Sequence, residues 1–487
     1  MGNDERVNPT AVREARSVER WDWEADVVVV GYGAAGACAA IEAAESGADV
    51  LVLERASGGG GTSANAGGII YMGGGTPVQQ ACGYDDTPEE MYKFLMAAVG
   101  PAPDAAKIRV FCDESVAHYH WLVAHGVPFK MSFSPEPGME SLADDCLNYT
   151  GGEDAYPFDR IAKPAPRGHK PQFPAAAGGF LMQKLVAATE RSGARFECDT
   201  RCQTLVVDHG ARVVGVVARQ DKQERLVRAR RGVILAAGGF TMNPQMVARY
   251  VPLIAQCSHK IGTDGDDGRG IRMAMGAGAD VIHMDAAEVA LPMTPPRRLM
   301  RGILVNRIGQ RFINEDTYFG RFGQEGLFHQ GGHVYLIVDS AVYERNLAGM
   351  EASHVEESVQ ALEESAGFPV GSLQATMEYY NRFAARGEDP LFHKTPTLLQ
   401  PLTHAPYAAI DCRPSKVAWA TFTLGGVHTL PTGEVLNPDG AVIPGLYAAG
   451  RTTCGICSWG YASGMSLGDG TFFGRKAGHS AARVNRL

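Results

Sequence analysis

Two polar side chains stand two residues apart in CSWGYASGMSLGDG, Cys457 to Gly470: Tyr461 and Ser463, each beside a glycine. A phenol, with an ordinary pKa of about 10, donates a hydrogen bond without carrying charge. A serine hydroxyl is a poor base alone and takes a proton only when a neighbour accepts one from it. The flanking glycines leave both groups uncovered, where no bulky side chain is otherwise tolerated. The pair therefore suits acid–base chemistry; the plainer alternative is a glycine-rich loop leading into a C-terminal helix. Tyr318, after Asp316 and Thr317, is a third candidate, with packing as its alternative role.

Such groups need something to hold them, and the other end of the chain supplies the clearest element. ADVVVVGYGAAGACAAIEAAESGADVLVLER, Ala25 to Arg55, reads as strand, glycine turn, helix and strand. Gly31 permits the tight turn, Gly33 lets a pyrophosphate approach the backbone, and Gly36 allows close helix packing. Ala34 and Ala35 open the helix, whose N-terminus favours an anion. Glu54 ends the second strand, where it can accept hydrogen bonds from a ribose, with Arg55 beside it. The context makes a dinucleotide the expected ligand, with NAD and FAD both open at this point.

ASGGGGTSANAGGIIYMGGG, Ala56 to Gly75, favours FAD, because its glycines with Thr62, Ser63, Gly67 and Gly68 form a second backbone-lined bed. No histidine precedes His118, so this region offers no imidazole for a covalent flavin bond. RRGVILAAGGF and IPGLYAAGR are two further strands ending in glycine, as a parallel sheet offers a cofactor at its carboxyl edge. They add Ala237, Gly238, Gly450 and Arg451 to the expected cofactor contacts. Asp267, in the acidic loop GTDGDDGRG, and Ser466 and Leu467, at the start of the C-terminal helix, complete the set. That loop lacks the terminal glutamate of an EF-hand, so no metal is expected.

The chain has 487 residues, more than one core usually serves, and suits two intertwined domains. With 45 Lys plus Arg against 54 Asp plus Glu it is mildly acidic, which gives no basic face for nucleic acid. Its ten cysteines are scattered and read as reduced thiols of a cytoplasmic protein. The single CxxC, Cys454 to Cys457, has neither a second pair nor close histidines and is read as structural. The charged first twenty residues lack the apolar run of a signal peptide, and the most hydrophobic stretch is the glycine-broken nucleotide segment, so no transmembrane segment is expected.

Together, the glycine fingerprint with Glu54, AAGGF, GILVNRIGQRFINED (Gly302 to Asp316), TFTLGGVH (Thr421 to His428) and GLYAAGR (Gly445 to Arg451) resemble the FAD-dependent fumarate reductase and succinate dehydrogenase flavoprotein superfamily, from about residue 24 onward. The resemblance implies an α/β fold: a Rossmann-like FAD-binding domain built from both chain ends, with an inserted α+β capping domain. The expected limits are a flexible tail at 1–20, the FAD domain at 21–285 and 409–487, and the cap at 286–408. FAD is expected to be bound non-covalently.

Two departures narrow the chemistry. Where fumarate reductases carry a proton-donating arginine after RF-x-NE, this chain has Asp316, Thr317, Tyr318 and Phe319, and Phe422 replaces their substrate-binding histidine. No arginine occurs from Thr452 through Gly474. A dianion without cationic partners would be costly to bury. The tyrosine–serine segment is similar instead to the 3-ketosteroid dehydrogenase branch, most of all to its Δ4-(5α) type, although Trp459 stands where that type has a small residue. The resemblance implies a steroid substrate, with Tyr461 stabilising the C3 enolate, Ser463 taking the C4 proton, Tyr318 relaying it, and the C5 hydride going to flavin N5. A separate electron acceptor, unidentified from sequence, would reoxidise the flavin. The alternatives are a Δ1-dehydrogenase, a fumarate-reductase-like alkene reductase, or a flavin electron-transfer protein with no small-molecule chemistry.

Overall fold

The computed structural model describes residues 8–136, 140–292, 296–345 and 350–484. Its largest sheet is built on the valine run Trp23–Val30, whose last six residues are all buried. That strand pairs in parallel with Val50–Leu53 on one side and with Gln223–Leu235 on the other. Val50–Leu53 pairs in parallel with Arg195–Glu197, and the end of Gln223–Leu235 with Val442–Ala448. The three strands that end in glycine are therefore neighbours, and their carboxyl ends open on one edge.

Gln223–Leu235 also pairs antiparallel with Val213–Gln220 through its first half, and Arg201–Val207 continues that hairpin. Outermost lies Arg13–Glu14, parallel to Val206 and Val207. The stretch read as a loose tail is thus tied to the sheet where it is described; residues 1–7 lie outside the described residues.

The two chain ends meet through helices. Ala34–Glu45 packs against Met465–Arg483, and the contact is close enough that a Cβ on Gly474 would fall 2.4 Å from the Ala35 carbonyl oxygen. Small residues along both helices permit this approach.

Between these ends, Ile303–Val305, Tyr335–Asp339, Tyr407–Asp411 and His354–Glu356 form a four-stranded antiparallel sheet; Val359–Ala366 packs on its last two strands, and Ser372–Ala384 packs against that helix. The run VEESVQALEESAG, Val355 to Gly367, reads from sequence as helical throughout, yet its helix begins only at Val359, because Ser358 caps it by accepting the Ala361 N–H at 3.1 Å while Val355 pairs with Ala408. Arg311 and Glu315 of the RFINE motif form a buried cluster with Asp389 and Lys394: Arg311 bonds both acids at 2.9 Å, and Lys394 lies 3.2 Å from Glu315.

A three-stranded sheet joins the two regions. Ala420–Thr423 lies between His259–Lys260, parallel to it, and Ala287–Ala290, antiparallel. Residues 287–290, read from sequence as cap, are therefore bonded to a strand read as part of the FAD domain.

Candidate active site

A cavity of about 770 Å³ runs from the glycine turn after Val30 to the three-stranded sheet. At the glycine end, Gly31 has φ +102°, and a Cβ there would lie 2.4 Å from the Ala236 carbonyl oxygen. Gly36 does not line the cavity; its Cβ would collide with the Gly31 carbonyl, so it serves the close turn-to-helix packing. Gly33 differs from both. A Cβ at Gly33 would meet nothing nearer than Ser63 Oγ at 3.4 Å, an ordinary contact, so the protein itself does not demand a glycine there. A ligand lying against the backbone does, and the helix that begins at Ala34 has no side-chain cap.

Glu54 is held by its own chain: Oε2 accepts the Tyr32 N–H at 2.7 Å and Oε1 the Ala56 N–H at 2.8 Å. Each oxygen keeps a lone pair toward the cavity it lines. Ser63 Oγ accepts the Ala34 N–H at 3.2 Å, which joins the second glycine bed to the first. Arg55, Thr62, Gly67, Gly68, Ala35, Ala237, Gly238, Asp267, Gly450, Arg451, Ser466 and Leu467 also line the cavity.

The acidic loop holds its place through Asp266, which the sequence reading passed over in favour of Asp267. Asp266 accepts from Thr62 Oγ1 at 2.6 Å, Gly239 N at 2.9 Å and Arg451 Nη2 at 2.6 Å, so it binds three separate segments together. Asp267 pairs with Arg201 at 2.7 Å. Arg451 Nη1 is buried without a hydrogen-bond partner. An orphaned guanidinium nitrogen, an open Gly33 and a helix start whose N-cap residue is a glycine without a side chain all fit an anionic, carbonyl-bearing dinucleotide such as FAD.

The three candidate catalytic residues all line this cavity, with the Tyr318 and Tyr461 rings 6.5 Å apart. The loop that carries two of them is sewn down on every side. The N–H groups of Trp459 and Gly460 both donate to the Val99 carbonyl, at 2.8 and 2.7 Å, and Ser463 N donates to Thr150 O at 3.0 Å. Gln324 Nε2 donates to Trp459 O at 2.7 Å. Gly460 is required because a Cβ would lie 2.0 Å from Ala98 O.

Tyr461 is buried, and its hydroxyl oxygen accepts the N–H of Ser466 at 3.1 Å, at the start of the last helix. Burial pushes its phenol well above the ordinary range, the neighbouring Cys457 adds to this, and the Ser466 N–H partly offsets it. Its ring lies edge-on to Phe422 at 5.2 Å and 6.5 Å from the Tyr318 ring. The Ser463 hydroxyl is half-buried and has no hydrogen-bond partner among the described residues, so it is not joined to Tyr318 directly.

Tyr318 instead donates to Glu288 Oε1 at 2.9 Å. Burial raises the Tyr318 phenol well above its usual range, and Glu288 raises it further. Glu288 is an acid that the sequence reading did not single out. It lies in Ala287–Ala290, with its side chain in the cavity while Ala287 and Val289 join the core. Burial pushes its carboxyl up to about 8. The signal for it was a lone glutamate in the apolar run AAEVAL, alternating with core positions.

Ile261, Ala290, Pro292, Phe319, Ala420 and Phe422 give the cavity apolar surface here, and His259, opposite Ala420 in the strand register, lines it as well. Arg451 lies over the Phe422 ring at 5.2 Å but is paired with Asp266. Arg321, three residues after Tyr318, is stacked on Phe158 at 4.5 Å and does not line the cavity. His428, in the GGVH segment, bonds Asp280 at 3.0 Å outside it. Cys454 and Cys457 are buried free thiols, raised by burial, and among the described residues no His, Cys, Asp or Glu cluster could hold a metal.

Comparison with known proteins agrees with this architecture. Residues 26–466 match the FAD binding domain family. The crystal structure of 3-ketosteroid-Δ4-(5α)-dehydrogenase from Rhodococcus jostii RHA1, in complex with 4-androstene-3,17-dione, is 51% identical with a TM-score of 0.93, covering 97% of this chain and 100% of that one. A 3-oxo-5-alpha-steroid 4-dehydrogenase of Comamonas testosteroni is 30% identical over 517 residues, 91% of this chain and 96% of that protein. A probable fumarate reductase of Shewanella frigidimarina is 28% identical, over 98% of this chain and 81% of that protein. The glycine-bedded cavity and these likenesses place the chain in the FAD binding domain family, on its 3-ketosteroid dehydrogenase branch.

Proposed function

We propose that this chain is an FAD-dependent dehydrogenase that introduces the C4–C5 double bond into 3-keto-5α-steroids. What supports the reading is that Tyr461, Tyr318 and Ser463 all line the cavity that suits FAD, in a fold shared with an enzyme crystallised with a 4-ene-3-ketone. Bound FAD supplies the acceptor for the hydride that leaves C5.

The residues of the chain manage the proton. Removing one from C4 builds negative charge on the C3 oxygen, and a donor aimed there favours the enolate over the ketone. Tyr461 takes that role: its oxygen already accepts the Ser466 N–H, so its own proton is free for the substrate. Ser463, whose hydroxyl is uncommitted, takes the C4 proton. Tyr318 receives it through an oxygen that keeps lone pairs while its hydrogen points at Glu288.

A dianionic alkene acid suits this cavity poorly beside Tyr318, because Glu288 adds a buried acid there. The reading includes a separate electron acceptor that reoxidises the cofactor, and a cytoplasmic location, which ten unpaired thiols suit. Among the described residues no helix is long and apolar enough to cross a membrane.

Anaerobic mixing with 5α-androstane-3,17-dione tests the reading. Bleaching of the flavin band, with 4-androstene-3,17-dione as product, is the expected result. A flavin that stays oxidised with the steroid, in an enzyme whose reduced form is reoxidised by fumarate-like acceptors, would overturn it.

A further inference from the structure

Glu288 is 1% exposed and faces the cavity from the middle of a strand. One of its oxygens accepts the Tyr318 hydrogen bond; the other, Oε2, is buried with no hydrogen-bond partner among the described residues. A buried carboxyl oxygen without a partner is costly, and native structures seldom keep one without a use. If the only task were to hold the Tyr318 ring, a glutamine or a backbone carbonyl would serve without burying an acid.

The pairing is enforced from several sides. Phe422 stands directly opposite Glu288 on the neighbouring strand. The helix Phe319–Gln324 approaches so closely that a Cβ on Gly320 would lie 2.1 Å from Glu288 Oε1 and 2.2 Å from the Tyr318 ring. The titratable groups facing the carboxyl are Tyr318 from that helix start, and Tyr461 and Cys457 from the catalytic loop. Among the described residues no cation offsets the burial that raises it.

We propose that Glu288 is the terminal proton acceptor of the site, receiving through Tyr318 the proton that leaves C4. This rests on the steroid reading above. The C4–H bond breaks and its electron pair forms the C3–C4 double bond of the enolate. Ser463 takes that proton and gives its own to Tyr318, and Tyr318 passes its own to Glu288, whose carboxylate becomes a carboxylic acid. The C3 carbonyl then re-forms, the C4–C5 double bond appears, and the C5 hydride leaves to the FAD oxidant. The site resets when Glu288 loses its proton to water in the emptied cavity.

Two features of the pair support the hand-over. The Tyr318 phenol is held well above its ordinary range by burial, so a free phenolate is unfavourable, and a simultaneous transfer to the carboxylate avoids it. The carboxyl is itself raised to about 8, which brings it nearer to the phenol that feeds it. Glu288 acts through Tyr318, so it is a positioning and relay residue.

The test follows anaerobic flavin reduction by 5α-androstane-3,17-dione across pH, together with an infrared titration of the protonated-carboxyl band without steroid. Wild-type reduction should quicken as pH rises through about 8 and then level off, and the band should titrate in the same range. FAD-loaded Glu288→Gln should lose both the limb and the band and fall at least about 100-fold in rate, while Glu288→Asp keeps a limb. A wild-type limb retained in Glu288→Gln overturns the relay. If that variant does not fold, a pH-independent wild-type rate or a carboxyl band that titrates in the ordinary range overturns it equally. A wild type that the steroid does not reduce overturns the substrate reading and the relay with it, whereas reduction with an unaltered Glu288→Gln profile overturns the relay alone.

Discussion

At the scale of single residues, the site works through what each oxygen has left to give. Tyr461 spends a lone pair on the Ser466 N–H and keeps its proton. Tyr461→Phe in the FAD-loaded protein should therefore lower the rate of steroid-driven flavin bleaching by about 100- to 1,000-fold, the cost of losing one such donor, with bound FAD unchanged by its absorbance. Glu288 also makes a prediction about stability. Its carboxyl ionises near about 4.5 in the ordinary state but at about 8 in the fold, because burial penalises the charge. Between those values the unfolded chain holds fewer protons than the folded one, so this residue's contribution to stability falls as pH rises through that window. The Tm of Glu288→Gln measured against wild type should accordingly rise from about pH 5 to about pH 8. Tyr461 and Ser463 were legible as chemistry because their glycine neighbours leave them uncovered. Glu288 was not, because its partner is 30 residues away and only the strand register turns it toward the cavity.

At the scale of elements, contact distances decide which glycines matter. Gly320 sets the approach of the helix Phe319–Gln324 to the strand Ala287–Ala290. Gly320→Ala should push Tyr318 from Glu288 and slow steroid-driven bleaching, with FAD retained, since residue 320 does not line the cavity. Gly478 sets the approach of the first and last helices, its Cβ position lying 2.3 Å from Ala39 O. Gly478→Val should destabilise the protein by about 1–3 kcal/mol or more through overpacking, read as a lower urea midpoint. The strand–glycine–helix unit could be read locally, because its period and turn residues sit within one stretch of chain. The start of the helix at Val359 was misplaced because Val355 and Glu356 continue a helical pattern yet are captured by the edge of the sheet at Tyr407–Asp411.

At the scale of the whole molecule, distant segments of one chain share the same cofactor cavity, and Asp266 ties three of them together through Thr62, Gly239 and Arg451. The inserted region is fixed by its own buried charges. Burial alone would raise Glu315, but Arg311 and Lys394 hold it below the usual carboxylate range. Its stabilising charge is present at neutral pH and is lost as pH falls through that depressed value. Glu315→Ala would leave buried cations short of a partner and should cost about 3–5 kcal/mol, measured by urea unfolding at neutral pH. What the sequence determined by itself was the FAD-binding frame, the family branch and a tyrosine–serine segment that lines the cavity, because each rests on neighbouring residues whose spacing is fixed by helix or turn geometry. The tertiary structure alone decided that Asp266 rather than Asp267 is the hub and that the cavity holds a buried acid beside Tyr318. Those outcomes depend on which face of a strand or loop meets which distant segment, and a one-residue change of register would have turned Glu288 into the core and Val289 toward the substrate.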